Sequence, residues 1–544
     1  MNFNLIDEKW IPVKRKDGTP DKIRPWEVTD KFDSNPVAAL NAPRPDFNGA
    51  LIQFLIGLAQ TTFAPANKIE WKAKLKTPPP PEQLKTAFMT VHDAFELGGD
   101  GPRFMQDFDD FKRKSKPIDW LLIGAATDNA LKENRDHFVK RDAVTAMCPS
   151  CCGTALFTMQ TNAPMGGSGL RTSLRGGGPL TTLIIGDKDF DMLWHTIWLN
   201  VLESRTFLNM CNSSQNSDSR RFPWLAATKP SVTEQDIHPA QYFWAMPRRI
   251  KLDIDNLSIG MCDICSQQSN SLITLYKEIN KGTEYKAPMK HPLSPFNSNK
   301  QKAVLTQPGG VSYRHWLGLI ANDSERKKEP ARTVHEFINE RQQSDWRLRF
   351  WAFGYDTENM KARCWYDAKM PLITVEHENA SEYETKMASL IKAADVICGN
   401  IKIAIKRVLH GKPELDPKSK KVMWKYQDIK KMPFDEEKAR ERVLNSVREQ
   451  SLFMSIETSF WQMTEPAFYS MLRSMVDCIK EKKDSSEFLE QWQHTLCKAA
   501  LQQFDSNILS APIEDMKVKH ISLAQRELDN FNRGARVRQI LGLP

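Results

Sequence analysis

The sequence predicts an α+β protein, with a large, irregular, mixed amino-terminal domain at residues 1–377 and a carboxy-terminal four-helix bundle at residues 378–544. Three observations support this fold class. The chain has 544 residues, which is too long for one domain because single hydrophobic cores stop growing near about 250–300 residues. Strand-like runs and Pro-containing loops fill the middle of the chain. Only helical periodicity follows residue 378.

The amino-terminal domain is expected to begin with a hairpin and two helices. The first 25 residues alternate apolar and polar positions around the turn signal KDGTPD, which predicts a short hairpin at a sheet edge. Two amphipathic helices are predicted next, DFNGALIQFLIGLAQTTF and PEQLKTAFMTVHDAFEL. From roughly Leu180 to Val375, the runs LTTLIIG, RIKLDI and MPLITVE predict strands joined by long polar loops.

Four segments with apolar residues at helical spacing predict the carboxy-terminal bundle. They begin at Glu382, Glu437, Ser485 and Ile521. Between the first two lies HGKPELDPKSKKVMWKYQDIKKMP, a connector with seven lysines. We interpret it as a solvated linker, and contact with nucleic acid or a partner is the alternative.

The net charge and the amino-terminal segment indicate the compartment and the kind of partner to expect. The net charge of +9 is mildly basic for this length and suits a partner that bears phosphates. The terminus MNFNLIDEKWIPV has no basic segment followed by an apolar stretch, and no run of 18 apolar residues occurs. We therefore expect a soluble, cytoplasmic protein whose ten cysteines are thiols or metal ligands.

Two CxxC pairs, Cys148 with Cys151 and Cys262 with Cys265, predict a metal site. Each pair can place two thiolates about one ion, and two pairs complete the tetrahedral shell that Zn²⁺ prefers. A closed shell of four cysteines leaves no position for water, so the expected zinc is structural. Two unrelated buried or redox pairs are the alternative, and Cys152 is a possible substitute ligand.

The segment APMGGSGLRTSLRGGGPL, residues 163–180, has six glycines and two arginines and no carboxylate. It matches neither the P-loop pattern nor the dinucleotide fingerprint, because Thr172 stands where each pattern needs a different residue. Glycines let another backbone come close, and arginines offer planar donors to phosphates or base edges. An ordinary wide turn is the alternative. The candidate contact residues are Gly166, Gly167, Ser168, Gly169, Arg171 and Arg175.

No catalytic residue is predicted. His92 and Asp93 imitate the pair of a metal nuclease, but no further ligands are evident nearby, so a structural role is expected. The acidic run QDFDDF is interpreted as a solvated turn. Residues 353–372, FGYDTENMKARCWYDAKMPL, predict a hairpin whose polar tip could wedge into a base stack, with a plain surface hairpin as the alternative.

The order of these features resembles the large subunit of the type I-E CRISPR surveillance complex Cascade, the CasA family. The resemblance spans NLIDEKWIPV, the first CxxC, NAPMGGSGLRTSLRGGGPLTT, the second CxxC with SQQSN, HPLSP, FGYDTENMKARCWY and the helical segments. It implies a non-catalytic subunit of an RNA-guided antiviral complex. That subunit recognises the protospacer-adjacent motif (PAM) on double-stranded DNA, promotes duplex opening and R-loop formation, and recruits a helicase-nuclease.

The resemblance also implies residue roles. The glycine segment would lie against the PAM in the minor groove, and the tip with Asn359 and Lys361 would form the strand-separating wedge. A lysine entering the minor groove would be Lys281, with Lys277 as second choice. Contact with the guide RNA and the other Cascade subunits falls at residues 129–143, with Lys132, Arg135, Lys140 and Arg141. A free-standing zinc-containing nucleic-acid enzyme and a purely structural ribonucleoprotein scaffold are the alternatives.

Overall fold

A computed structural model describes residues 1–125, 139–167, 169–188, 190–211, 218–343, 346–358, 361–373, 375–415, 422–426, 436–508 and 518–544. The chain divides into two compact units. The first is Met1–Val311 with Leu317–Leu372, and the second is Ser312–Trp316 with Ile373–Pro544. None of the described helices is long and apolar enough to cross a membrane.

The strands of the first unit form small antiparallel sheets and one parallel pair. The expected amino-terminal hairpin is confirmed, because Ile11–Arg15 pairs with Pro20–Ile23 and also with Val37–Leu40. The remaining sheets are Lys116–Pro117, Leu275–Ile279 and Arg249–Leu252; Glu284–Tyr285 and Ser231–Val232; Lys302–Ala303, Phe296–Asn297 and Lys328–Glu329; Ser258–Met261 and Gln268–Leu272; and Lys361–Pro371, Leu348–Glu358 and Thr181–Gly186.

The helix Pro45–Thr62 forms the centre of the first unit, and it is buried on nearly every face. Such a helix belongs in a core because it has no polar face to turn toward water. Phe54 makes edge contacts with the rings of Phe95, Phe157 and Trp244 at centroid distances of 5.6–5.8 Å. The other helices are Lys68–Lys76, Pro81–Met89, Pro149–Asn162, Leu193–Trp198, Ser204–Leu208, Asp218–Arg221, Gln241–Trp244 and Arg332–Glu336.

Two local predictions differ from the structure. The second predicted helix ends at Met89, and a short 3-10 turn follows at His92–Phe95. The Thr90 hydroxyl donates to the carbonyl oxygen of Ala87 at 2.6 Å, which competes with continuation of the helix. Of the run MPLITVE, Met370 and Pro371 end the strand Lys361–Pro371, and none of the other residues of this run that the structure describes lies in a strand.

The second unit is helical, as predicted. Its helices are Ala380–His410, Glu436–Glu481, Ser486–Ile508, Val518–Arg533 and Ala535–Leu541, so the last predicted segment is interrupted at Gly534. Trp492 Nε1 donates to the carbonyl oxygen of Leu390 at 3.1 Å, and Gln493 donates to that of Asn532 at 2.9 Å. The helices therefore pack on one another, and their grouping as a four-helix bundle stays a prediction.

An earlier part of the chain contributes to the core of this second unit. Tyr313, in the short turn Tyr313–His315, is fully buried, and its hydroxyl lies 2.8 Å from Thr464 Oγ1. Its ring stacks on Phe468 at a centroid distance of 4.2 Å. The segment Ser312–Trp316 is thus a structural part of the helical unit.

The basic connector contains a hairpin, so its interpretation as a plain linker is wrong for the residues that the structure describes. Gly411–Leu415 pairs with Val422–Tyr426. Trp424 Nε1 donates to Glu527 Oε2 at 2.7 Å, and Arg407 Nη1 lies 3.0 Å from the same oxygen. These contacts fix the hairpin on the helices. The lysines at 418, 420 and 421 lie outside the described residues.

Candidate metal centre and nucleic-acid interface

The two CxxC pairs meet in space, although they are far apart in the sequence. The sulfur atoms of Cys148, Cys151, Cys262 and Cys265 all lie within 4.8 Å of one another. The sulfurs of Cys148 and Cys265 are 3.7 Å apart. In a tetrahedral zinc site with Zn–S bonds of about 2.3 Å, the sulfurs would be about 3.8 Å apart. This finding excludes two unrelated cysteine pairs.

Local hydrogen bonds explain why the two pairs meet. Cys148 is the N-cap of the helix Pro149–Asn162, and its amide donates to Cys262 Sγ at 3.3 Å. The carboxylate of Asp263 accepts the amides of Thr145 and Ala146 at 2.7 and 2.9 Å. The Thr145 amide holds the pKa of Asp263 below its ordinary value. The segment before the helix is therefore tied to the hairpin Ser258–Leu272.

The cysteine cluster has the donor set that a soft divalent cation needs. Hydrogen bonding with Cys148 lowers the pKa of Cys265 to about 6 and also lowers that of Cys262. The same partner raises the pKa of Cys151. The fully buried Cys152 is not part of the group, so the four predicted cysteines would hold the ion.

The first half of the glycine segment 163–180, called the glycine loop below, lies beside Lys281. The Lys281 amide donates to the carbonyl oxygen of Gly169 at 2.8 Å. Gly169 has φ +82°, and a Cβ added there would lie 3.2 Å from Asn280 Cβ. Glycine is therefore favoured at position 169 for two reasons: its φ is positive, and Asn280 lies close to the place of a Cβ.

The neighbouring glycines have different surroundings. A Cβ added at Gly166 would lie 2.5 Å from Leu170 Cβ, whereas one added at Gly167 would meet no described atom within 4 Å. Ser168 lies outside the described residues. Gly167 is exposed. Nothing in the described protein therefore explains why position 167 lacks a side chain.

The second half of the glycine loop packs against the hairpin Leu348–Pro371. Gly178 has φ +75°, and a Cβ there would lie only 2.3 Å from the carbonyl oxygen of Tyr355. Thr357 Oγ1 donates to the carbonyl oxygen of Gly177 at 3.1 Å. The loop thus contacts the hairpin at one end and the chain before Lys281 at the other.

The two arginines of the glycine loop differ in position. Arg171 is half-buried, and its Nη1 lies 3.1 Å from Glu284 Oε2. Arg175 is buried, and its guanidinium donates to Gln53 at 2.8 Å and to Thr181 at 2.9 Å. Because these donors are used inside the protein, Arg175 is not available to a nucleic acid in this structure. We correct its assignment from a contact residue to a support of the loop.

Sequence reasoning missed a second support of the loop. Arg248 is buried, donates from Nη2 to the carbonyl oxygen of Pro164 at 2.7 Å, and pairs with Glu278 at 3.5 Å. It stands next to Arg249, which pairs with Asp107 and Asp109. No pattern in the sequence indicates which of these two arginines contacts the glycine loop. The interpretation of QDFDDF as a solvated turn is wrong at Asp107, which is buried in this ion pair.

The hairpin is confirmed, with Leu348–Glu358 paired to Lys361–Pro371 and to Thr181–Gly186. Asn359 lies outside the described residues, as does the side chain of Lys361. Lys281 is exposed, and φ there is +64°. Lys277 is half-buried in the strand Leu275–Ile279, opposite Lys251. Of the two candidate lysines, Lys281 is thus the one that touches the glycine loop.

The predicted docking segment is only partly described. Lys132 and Arg135 lie outside the described residues, whereas Lys140 and Arg141 are exposed. They stand shortly before Thr145, whose amide and hydroxyl donate to Asp263 at 2.7 and 3.0 Å. Asp263, next to Cys262 of the cysteine cluster, therefore holds the chain just after this basic segment.

Among the described residues, the cysteine cluster is the one group of three or more side chains suited to hold a metal ion. His92 Nδ1 lies 3.1 Å from Asp93 Oδ1, and its other ring nitrogen lies 3.6 Å from Asp7. In the part of the chain that the structure describes, these three side chains do not form a group suited to hold a metal ion.

Comparisons with known proteins cover almost the whole chain. A profile of the family CRISPR-associated protein Cse1 matches residues 4–503. The structure of CasA (Cse1) from Thermus thermophilus is 15% identical, with 99% of each chain covered and a TM-score of 0.66. Cse1 from Thermobifida fusca is 15% identical over 99% of this chain and 98% of that one, with a TM-score of 0.69.

A third match is to a chain of a structure described as a CRISPR RNA-guided surveillance complex. The identity is 13%, with 98% of this chain and 100% of that chain covered and a TM-score of 0.63. At such identities the structural likeness establishes the fold. That likeness extends over both units of the chain.

Proposed function

The chain belongs to the CRISPR-associated Cse1 family, and on this premise we propose that it is the large subunit of a type I-E Cascade complex. In this role it is a non-catalytic, DNA-binding component of an antiviral ribonucleoprotein. It recognises the PAM on double-stranded DNA and promotes R-loop formation. The match to a chain of a CRISPR RNA-guided surveillance complex supports guide RNA and other Cascade subunits as partners.

PAM recognition is assigned to the glycine loop with Lys281. The observation that supports this assignment is the exposed Gly167. No described residue lies close enough to exclude a side chain at this position. A bare backbone lets base edges come close, and the adjacent Lys281 can reach into the minor groove. Arg171, whose Nη1 lies 3.1 Å from Glu284 Oε2, is assigned to a phosphate contact beside the same loop. Ser168 is included by its place in the sequence.

Duplex opening is assigned to the tip of the hairpin, with Asn359 and Lys361. The glycine loop and this hairpin share a hydrogen bond between Gly177 and Thr357, so reading of the PAM and opening of the adjacent base pairs would be mechanically linked. A protruding side chain that unstacks a base step costs a few kcal/mol, which binding of the PAM would offset.

The cysteine cluster is proposed to hold one structural Zn²⁺ through its four thiolates. When bound, the ion would supply a rigid cross-link and no reactive position, because the four sulfurs complete its shell. The residues around it would hold the basic segment with Lys132, Arg135, Lys140 and Arg141 against the guide RNA and other Cascade subunits. Recruitment of a helicase-nuclease after R-loop formation completes the proposed function, which takes place in the cytoplasm.

The proposal is tested by reconstituting the complex with and without this chain. Affinity is measured for duplexes that differ only in the PAM, at one stated salt concentration. We expect PAM-dependent binding only when the chain is present, and no cleavage by the pure chain with Mg²⁺ or Mn²⁺. Binding without PAM preference would favour a structural scaffold, and metal-dependent cleavage would favour an enzyme.

A further inference from the structure

A second site stands out in the first unit, in a cavity of about 870 Å³. Its walls come from the helices Ser204–Leu208 and Arg332–Glu336, the strand Phe296–Asn297 and the loop before Lys328–Glu329. Pockets of about 300–1,000 Å³ are typical of sites for small molecules and cofactors. The cavity is lined by none of the residues assigned above to DNA, guide RNA or zinc.

The lining of this cavity, called the cationic cavity below, carries more positive than negative groups. Five basic side chains face three carboxylates. The basic residues are Arg205, Lys290, Lys327, Lys328 and Arg332, and the acidic ones are Glu234, Asp323 and Glu329. A concave surface with such an excess concentrates anions, because its low-dielectric walls focus the field.

The carboxylates of the cationic cavity already have donors within the protein. Glu329 accepts from Lys290 at 2.8 Å, Asp323 from the Arg326 amide at 2.8 Å, and Glu234 from the Tyr242 hydroxyl at 2.6 Å. Lys290 balances the charge of Glu329, whereas the neutral donors satisfy an oxygen of Asp323 and of Glu234 without cancelling their charge. Arg332 is also occupied, at 2.5 Å from Glu336.

Two of the basic side chains have no such partner. Arg205 and Lys327 are exposed, and neither makes an ion pair or a side-chain hydrogen bond with any residue in the described ranges. Unpaired cations that line one concave surface are available to an anionic ligand.

We propose that the cationic cavity binds a phosphate group, contacted by Arg205 and Lys327. Arginine recognises phosphate through paired donors, and lysine does so as a point charge. The volume leaves room for the nucleoside that carries the phosphate. The phosphate can come from a free nucleotide or from the backbone of a single strand. This site is independent of the proposed function.

The test uses the full chain in isothermal titration calorimetry with three probes: inorganic phosphate, adenosine monophosphate and a five-nucleotide DNA strand. We expect at least one probe to bind, and Arg205→Gln and Lys327→Gln each to weaken its binding about tenfold to hundredfold. The matched controls Arg473→Gln and Lys498→Gln change exposed cations of the second unit and should leave the affinity unchanged.

The probes also separate the two sources of phosphate. Binding of the mononucleotide at one per chain assigns the site to a free nucleotide, and binding of the strand alone assigns it to nucleic acid. The proposal is overturned if no probe binds at millimolar concentration. It is also overturned if the two cavity variants, shown to be folded by their unfolding transitions, bind like the two controls. Neither result bears on PAM recognition, which is measured on duplexes with the assembled complex.

Discussion

Single glycines of the glycine loop have different physical requirements. Gly169 and Gly178 have positive φ and close neighbours, whereas Gly167 has open space around its Cα. Only at the first two does the fold itself exclude a side chain. The same residue type thus serves the fold at two positions and is free to serve a ligand at the third.

Replacing Gly178 with alanine should destabilise the first unit more than a positive φ alone explains. Gly99 offers a matched control, because it has φ +86° and no atom within 4 Å of an added Cβ. We expect Gly99→Ala to lower the free energy of unfolding by about 1–2 kcal/mol through backbone strain. Gly178→Ala adds a clash with the Tyr355 carbonyl oxygen, worth about 1–3 kcal/mol more. Equal losses in urea unfolding would contradict this clash.

Burial of single residues was the least predictable property. Arg171 and Arg175 look equivalent in the sequence, yet only the second is buried, where Gln53 and Thr181 accept its hydrogen bonds. Its partner Gln53 belongs to the central helix, which is distant in the chain. No local pattern distinguishes the two arginines, because tertiary contacts decide which one is enclosed.

At the scale of elements, the cysteine cluster joins two segments that local structure alone would leave apart. The spacing within each CxxC pair was enough to predict two ligands per turn. The meeting of the pairs could not be derived from spacing, because it depends on Asp263 accepting the amides of Thr145 and Ala146. The metal that joins them stays a prediction.

Cys148→Ser should remove bound zinc and weaken this junction. We expect about one Zn²⁺ per chain in the wild type and almost none in the variant, because a missing ligand opens the shell. The unfolding temperature should fall with it. Cys364→Ser is the matched control, since this half-buried thiol lies outside the cluster. Elemental analysis after a chelator wash is the measurement, and a wild-type protein that is folded and free of zinc would contradict the assignment.

Regular elements were more predictable than their ends. Aromatic residues on both sides of a polar tip predicted a hairpin within residues 353–372, and helical spacing predicted the helices after residue 378. The helix Glu436–Glu481, however, continues through Pro466, where a proline would be expected to end it. The nearby Thr464 hydroxyl donates to the carbonyl oxygen of Phe460 at 2.8 Å and contacts Tyr313, so tertiary packing supports this turn.

For the whole molecule, charge is expected to set affinity without setting sequence preference. Changing Lys418, Lys420 and Lys421 together to glutamine should weaken binding of the assembled complex to every duplex alike. The salt slope should fall by up to about 0.9 for each phosphate that is no longer neutralised. Lys425→Gln is the control, because this lysine already pairs with Glu414 at 2.6 Å. Weaker binding to one PAM only, or unchanged binding to all, would favour a solvated segment.

The change from mixed to helical patterns near residue 378 predicted a carboxy-terminal helical region, which the structure has. What the sequence did not indicate is that Ser312–Trp316 belongs to the helical unit. Tyr313 contacts Thr464, which lies far later in the chain. Such long-range packing produces no periodic pattern in the sequence. The family resemblance, by contrast, was carried by short motifs in order, and the match to residues 4–503 confirms it.

The central claim is that DNA bases approach the bare backbone at Gly167, and one comparison of variants tests it most directly. Gly167→Phe and its matched control Gly101→Phe both place a ring at a position where an added Cβ meets no atom within 4 Å. The assembled complexes are titrated with duplexes that differ only in the PAM, at one salt concentration. We expect Gly167→Phe to assemble normally and to lose affinity for the preferred PAM about tenfold to hundredfold, while Gly101→Phe binds like the wild type. Unchanged affinity and PAM ranking in the assembled Gly167→Phe complex would contradict the claim and make the glycine loop an ordinary turn.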